Sequence, residues 1–238
     1  SFTVPGNAAN YASSDWVCDD SASTTVAGGG TLSITAADMG NTITCTVTNT
    51  RESATLQLEK NWVDALVGEE ISATTTGLLN NATITSDAGT ATETDTGTAV
   101  TVFAGEVATI PTEAFTVPSN AANYASSDWA CDDSANTTVA GGGTLSITAA
   151  DMGNTITCAV TNTRESAILQ LEKSWVDALV GEEISVTTTG LLNNATITSD
   201  AGTATETDTG TAVTVFVGEV ATIPTETFTV PGNAANYA

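Results

Sequence analysis

The sequence repeats itself almost unchanged at an interval of 113 residues. The stretch Phe2-Thr-Val-Pro5 returns at Phe115 and again at Phe228. Shifting the chain by 113 positions aligns 125 residue pairs, of which 11 differ, and most differences are mild, such as Ala73 against Val186. This interval is longer than the repeat of a solenoid or a propeller blade, and it has the length of one small domain. We therefore expect a tandem array of near-identical domains.

The phase of the domains follows from a polar junction that occurs twice, at Asn49-Thr-Arg-Glu-Ser53 and at Asn162-Thr-Arg-Glu-Ser166. The alternating stretch Leu56-Gln-Leu-Glu-Lys60-Asn-Trp62 comes soon after the first junction and has the pattern of an opening strand. These landmarks predict the rear part of one domain, a complete domain and the front part of a third, at 1–54, 55–166 and 167–238.

Short segments rich in Thr, Val and Ile alternate between apolar and polar residues along the repeat, which is typical of β-strands. Turn-forming clusters such as Gly141-Gly-Gly143 separate these segments, and no convincing helical period is present. Within one repeat we predict strands at 55–63, 70–76, 81–86, 99–104, 107–117, 123–131, 144–148 and 154–163. The expected fold class is all-β, with tandem antiparallel β-sandwich domains.

The charge balance excludes several functions. The chain has 28 acidic residues, four basic residues and no histidine, and its formal net charge is −24. Such a chain cannot neutralise phosphates and is repelled by anionic membranes, so we expect neither a nucleic-acid partner nor membrane insertion. Without histidine there is no Ser–His–Asp triad and no histidine-based metal centre, and we expect no enzyme activity.

Four cysteines form two pairs with the same spacing, Cys18 with Cys45 and Cys131 with Cys158, each 27 residues apart. An even number of cysteines at a repeated spacing, with no C-x-x-C motif, predicts one disulfide per domain. Zinc held by two thiolates and a free buried pair are the alternatives. Because disulfides persist in oxidising compartments, we expect an extracellular protein of the cell surface.

Acidic residues cluster beside the second cysteine pair, where Asp128, Asp132 and Asp133 flank Cys131. Calcium is bound by about six to eight oxygen atoms from several such groups. No D-x-D-x-D-G loop is present, and solvated acidic turns explain the cluster equally well. We therefore expect no metal or other cofactor, with calcium at these three aspartates as the weaker alternative.

One repeat contains several stretches with a family resemblance. They are Leu56-Gln-Leu-Glu-Lys60, Pro111-Thr-Glu-Ala-Phe115, Asp128-Trp-Ala-Cys131, Thr144-Leu-Ser-Ile-Thr148 and Ile156-Thr-Cys-Ala-Val-Thr-Asn-Thr163. Together they resemble SpaA-type domains, which occur as repeats in bacterial cell-surface proteins. The resemblance spans nearly the whole repeat and implies a prealbumin-like (CnaB-like) fold. It also implies a structural or adhesive role at the cell surface.

Domains of this family often join a first-strand lysine to a last-strand asparagine by an isopeptide bond, assisted by an acid between them. The residues at the matching positions are Lys60, Asn162 and Glu113, and strand parity predicts that all three point inward. The incomplete parts contain the equivalents Lys173, Glu226 and Asn49. A buried lysine–glutamate ion pair with a hydrogen-bonded asparagine, or a lysine that reaches solvent, remains open as the alternative.

Two classes of function fit these observations. The first is a structural repeat of an extracellular bacterial fibre or surface stalk, whose partners are copies of itself, arranged head to tail or as one long repeat chain. The second is a ligand-binding repeat of a cell-surface adhesin, with an unknown surface or glycan ligand. The second class predicts an exposed aromatic patch, whereas aromatic residues make up only 5% of the chain.

Overall fold

The computed structural model describes residues 4–237. The fold is all-β, as predicted, and each strand pair whose register is described is antiparallel. The described residues form two compact units, 4–118 with 126–162 and 119–125 with 163–237. The helices in this range are short 3-10 helices, none of them long enough to cross a lipid bilayer: Pro5–Asn10, Ala36–Asp38, Pro118–Asn123, Ala149–Asp151 and Pro231–Asn236.

Within residues 4–54 of the predicted rear part, five short strands pair with one another. They are β1 Tyr11–Ser13, β2 Trp16–Cys18, β3 Thr25–Val26, β4 Cys45–Thr46 and β5 Asn49–Arg51. Strand β1 pairs with β5, and β2 lies between β3 and β4. Side chains that belong in a core are exposed here: Trp16 is 41% exposed, whereas its repeat equivalent Trp129 is 2% exposed.

The predicted complete domain contains twelve strands. They are β6 Ser53–Val63, β7 Glu70–Thr74, β8 Thr83–Asp87, β9 Glu93–Thr96, β10 Val100–Phe103, β11 Val107–Thr109, β12 Ala114–Phe115, β13 Tyr124–Ser126, β14 Trp129–Cys131, β15 Thr138–Val139, β16 Thr144–Ser146 and β17 Thr155–Arg164. The largest sheet has the order β10-β6-β17-β14-β15, with β9 also on β6 and β13 also on β17. A second sheet has the order β12-β7-β8, and β11 pairs with β16.

The core lies between these sheets. Alternate residues of β6 are buried, because a strand presents every second side chain to the same face. Trp62 of β6 packs edge-on against Phe115 of β12, and its indole nitrogen donates a 2.8 Å hydrogen bond to Ser86 of β8. Strands of both sheets thus contribute to one buried layer, in a sandwich-like arrangement.

The predicted front part contains seven strands. They are β18 Ser166–Leu169, β19 Glu172–Trp175, β20 Glu183–Thr187, β21 Thr196–Asp200, β22 Glu206–Thr209, β23 Val213–Phe216 and β24 Thr227–Phe228. Strand β18 pairs with β23, β19 pairs with β22, and β20 lies between β21 and β24. Strands β18 and β19 cover the sequence that forms the single strand β6 in the complete domain. The long strand β6 has β17 beside it, and that neighbour supports its continuous course.

The strand predictions differ from the structure in a few places. The predicted strand 107–117 is divided into β11 and β12, since Pro111 between them has no N–H to donate to a ladder. The predicted strand 123–131 is likewise divided into β13 and β14. Strands β9 and β15 and the 3-10 helices were not predicted, because segments of two to six residues carry too little periodicity.

Candidate functional site

Lys60 lies in the middle of β6, and its side chain is 0% exposed. Its Nζ is 2.8 Å from Oε1 of Glu113 and 4.5 Å from the centre of the Trp62 ring. Burial lowers the pKa of Lys60 to about 8, and the nearby Glu113 carboxylate only partly opposes this effect. Part of the lysine population is therefore a neutral, nucleophilic amine near physiological pH.

The Trp62 indole is held firmly beneath the lysine. The hydroxyl of Ser86 accepts the indole hydrogen bond and donates a 2.6 Å bond to Oδ2 of Asp95. Since Asp95 belongs to β9, which pairs directly with Lys60 in the ladder, this chain of bonds joins both sheets around the lysine. The aromatic face lies against the buried head group of Lys60.

Glu113 lies between β11 and β12, and its side chain is 7% exposed. Its Oε1 contacts Lys60 and also accepts a 3.3 Å hydrogen bond from Nδ2 of Asn162. Its Oε2 accepts a 3.0 Å hydrogen bond from the hydroxyl of Ser126. The lysine and the asparagine therefore meet at a single carboxylate oxygen.

Asn162 is fully buried in β17, on the same face of that strand as Cys158 and Val160. Its Oδ1 is a buried polar atom without a hydrogen-bond partner among the described residues, whereas the Nζ of Lys60 has the 2.8 Å contact with Glu113. Buried polar atoms are nearly always satisfied, because an unpaired one costs about 1–3 kcal/mol. An unpaired carbonyl oxygen on a side chain that shares one carboxylate with a buried lysine marks this place as unusual.

The equivalent residues of the incomplete parts are not brought together in the same way. Lys173 donates hydrogen bonds of 2.9 and 3.1 Å to both oxygens of Glu226 and lies 4.6 Å from the ring centre of Trp175. The Lys173 and Glu226 side chains are 18% and 45% exposed. Asn49, in the rear part, accepts a hydrogen bond from the hydroxyl of Ser13, its partner in the β1–β5 ladder.

Both predicted disulfides are present. Cys18 is joined to Cys45, and Cys131 is joined to Cys158. The second bridge links β14 to β17, where Cys131 and Cys158 face each other in the ladder. It therefore anchors the strand that contains Asn162.

The acidic cluster beside Cys131 is engaged with the protein backbone. Asp133 accepts hydrogen bonds of 2.6 and 2.8 Å from the amide and hydroxyl of Thr137, and Asp132 accepts one from the amide of Thr157. Asp128 is exposed. Within residues 4–237 no group of three or more acidic or cysteine side chains is arranged to hold a metal ion.

Removing divalent cations is therefore expected to leave the melting temperature of the chain unchanged. The carboxylates of Asp132 and Asp133 already have donors, so they do not need a cation to balance them. Calorimetry with EDTA and with added calcium tests this expectation. A fall of several degrees in EDTA that calcium reverses would contradict it.

Two arginines form contacts that the sequence analysis did not predict. Nε and Nη2 of Arg51 donate hydrogen bonds of 3.2 and 2.9 Å to the Ala104 carbonyl, and the guanidinium lies 5.1 Å from the ring centre of Phe103. Arg164 forms the same contacts with the Val217 carbonyl, at 3.0 and 2.6 Å, and lies 5.3 Å from the ring centre of Phe216. The available sequence signal was the recurrence of arginine at the same place in the polar junction of a chain with only four cations.

Comparison with known proteins gives little further guidance. No protein-family model matches the chain, and no curated protein matches it. One solved structure with a similarity is a leucine-rich repeat protein from Bacteroides thetaiotaomicron, with 12% sequence identity and a TM-score of 0.21. The match covers 74% of this chain and 23% of that protein, so this chain spans about a quarter of its length.

Proposed function

We propose that the chain is a structural repeat segment of an extracellular bacterial fibre or surface stalk, built from prealbumin-like β-sandwich domains in tandem. Each complete domain is stiffened by its disulfide and by an isopeptide bond between Lys60 and Asn162. The observation that carries this proposal is the meeting of the buried Lys60 and Asn162 side chains at one oxygen of Glu113, with the Oδ1 of Asn162 left without a hydrogen-bond partner among the described residues.

The proposed bond relieves the cost of burying a lysine. A buried ammonium is expensive unless its charge and its three donors are all matched, and Lys60 has a single polar contact, with Oε1 of Glu113, within the described residues. An amide has no charge, and its N–H can donate to Glu113.

The reaction is balanced by the residues present. A proton moves from Lys60 to Glu113, and the neutral Nζ attacks the side-chain carbonyl carbon of Asn162. The new C–N bond forms as the bond to Nδ2 breaks. Glu113 passes this proton to the leaving Nδ2, which departs as ammonia, and takes up the second proton that Nζ loses on becoming the amide nitrogen, so that Glu113 ends protonated. No oxidant, cofactor or metal is needed, and the chain acts on itself once rather than as an enzyme that turns over.

The arginine contacts support an arrangement of repeats in series. Arg51 ends the rear part, and it contacts the turn at Phe103–Glu106 of the complete domain that follows along the chain. Arg164 ends the complete domain and contacts Phe216 and Val217 of the front part. These contacts recur 113 residues apart, as expected if each repeat forms the same joint with the repeat that follows it. The two lysines therefore occupy positions where a repeat is cross-linked, and the two arginines occupy positions where one repeat contacts the next.

The proposed partner is a neighbouring repeat of the same kind, in a second copy arranged head to tail or along one long chain. The front part exposes the side chain of Ile223, whereas its equivalent Ile110 is fully buried in the complete domain. A cavity of about 180 Å³ lies beside Ile223, lined also by Leu171 and Ile184. In the complete domain, β16 pairs with β11 next to Ile110 and β17 pairs with β6, and the rear part contains the counterpart sequences.

The intact mass of the oxidised, denatured 238-residue chain tests the cross-link. We expect the mass to be lower by one ammonia than the sequence with two disulfides requires, because the chain contains one complete set of reacting residues. The Asn162→Ala variant should have its full calculated mass, and the matched Asn49→Ala variant should still lose ammonia. Fragmentation should place the bond between Lys60 and Asn162. A wild-type chain with its full calculated mass would exclude the cross-link.

A further inference from the structure

We propose that Ser126 is a positioning residue that prepares both partners of the Lys60–Asn162 reaction by binding the carboxylate of Glu113. This inference rests on the proposed cross-link. It comes from comparing identical residues in three settings within one chain: the complete domain, the front part alone and the rear part alone.

The first comparison concerns the lysine. In the front part, Lys173 donates to both oxygens of Glu226, at 2.9 and 3.1 Å. In the complete domain, Lys60 contacts Oε1 of Glu113 at 2.8 Å, whereas Oε2 accepts the hydrogen bond of Ser126. The serine thus occupies the oxygen that would otherwise hold the lysine in a two-pronged pair. It leaves Nζ with fewer bonds to break before it attacks.

The second comparison concerns the asparagine. In the rear part, the hydroxyl of Ser13 donates to Oδ1 of Asn49. In the complete domain, the equivalent hydroxyl of Ser126 donates to Glu113, and Oδ1 of Asn162 has no partner among the described residues. When rear strands join front strands, the serine therefore exchanges the asparagine for the glutamate. This exchange leaves the side-chain carbonyl of Asn162 free. It also fixes the orientation of the Glu113 carboxylate, so that Oε1 faces both reacting side chains.

This arrangement couples the reaction to assembly of the domain. Ser126 lies in β13, which pairs with β17, the strand of Asn162. The serine and the asparagine therefore reach the lysine together. Without the rear strands, the lysine and the glutamate remain in a closed ion pair, as Lys173 and Glu226 do.

The rate of cross-linking in the freshly made full-length chain tests the proposal. The chain would be produced by cell-free translation under oxidising conditions, synthesis would be stopped, and samples would be denatured at intervals for intact-mass measurement. We expect Ser126→Ala to lose ammonia roughly tenfold more slowly than the wild type, because it removes one hydrogen bond to a charged group. Ser126→Thr, which keeps the hydroxyl, should restore the rate. The matched variant Ser13→Ala should react like the wild type.

The outcomes separate this inference from the proposed function. If the wild type loses ammonia and Ser126→Ala reacts equally fast, the role of Ser126 is wrong while the cross-link stands. Slow reaction of both Ser126→Ala and Ser126→Thr would also overturn it, since a hydroxyl would then not be sufficient. If the wild type itself keeps its full mass, the cross-link fails and this inference fails with it.

Discussion

Replacing Asn162 with alanine is expected to lower the melting temperature of the complete domain by roughly 20 °C. The proposed bond between Lys60 and Asn162 closes a loop of about 100 residues, and in the chain-entropy model such a closure stabilises the folded state by about 4–5 kcal/mol. For a domain of this size, each kcal/mol corresponds to about 4 °C. Calorimetry of the oxidised full-length chain would measure the shift.

Asn49→Ala is the matched control. Asn49 is the repeat equivalent of Asn162, but it lies in the rear part, which contains no lysine with which it could react. This variant should leave the main transition in place. The contrary result would be a similar small shift, below about 5 °C, in both variants. In that case Asn162 would contribute only the 3.3 Å hydrogen bond to Glu113 seen in the structure.

Local alternation was enough to predict which way Lys60 faces. A strand presents every second residue to the same side, so Lys60 had to share the face of Leu56 and Leu58, and all three are fully buried. The same rule applied to β17 placed Asn162 with Cys158. The cysteine spacing predicted the disulfides, because an equal separation recurs in both copies. These features are determined by short stretches of chain and can therefore be predicted from the sequence.

The contacts that were not predicted depend on the course of loops. Ser126 reaches Glu113 after the chain has passed through a 3-10 helix, and Arg51 reaches Ala104 from 53 residues away. Hydropathy gives no register across such connections, since polar residues such as serine and arginine have no preferred face. The division of one predicted strand into β18 and β19 has a similar cause: nearly the same residues form the continuous strand β6 when β17 lies beside them. Tertiary context decides between the two states.

Replacing Cys131 and Cys158 together with alanine is expected to lower the melting temperature of the same domain by roughly 10–15 °C. The disulfide closes a loop with a sequence separation of 27, which corresponds to about 3 kcal/mol in the chain-entropy model. The shift should be smaller than that of Asn162→Ala, because closing a shorter loop removes less conformational entropy from the unfolded chain.

The paired variant of Cys18 and Cys45 is the internal control, since its bridge lies in the rear part and joins β2 to β4. It should leave the transition of the complete domain unchanged. The cysteine-free complete domain should still lose ammonia, because Lys60, Glu113 and Asn162 are held by their own strands and the disulfide supplies no atom to the reaction. A chain that keeps its full mass without the disulfide would contradict this independence, and the bridge would then be required to bring β17 into place. The disulfide loop lies inside the loop from Lys60 to Asn162, so the two cross-links constrain overlapping segments of the unfolded chain, and their losses of stability are not expected to be strictly additive.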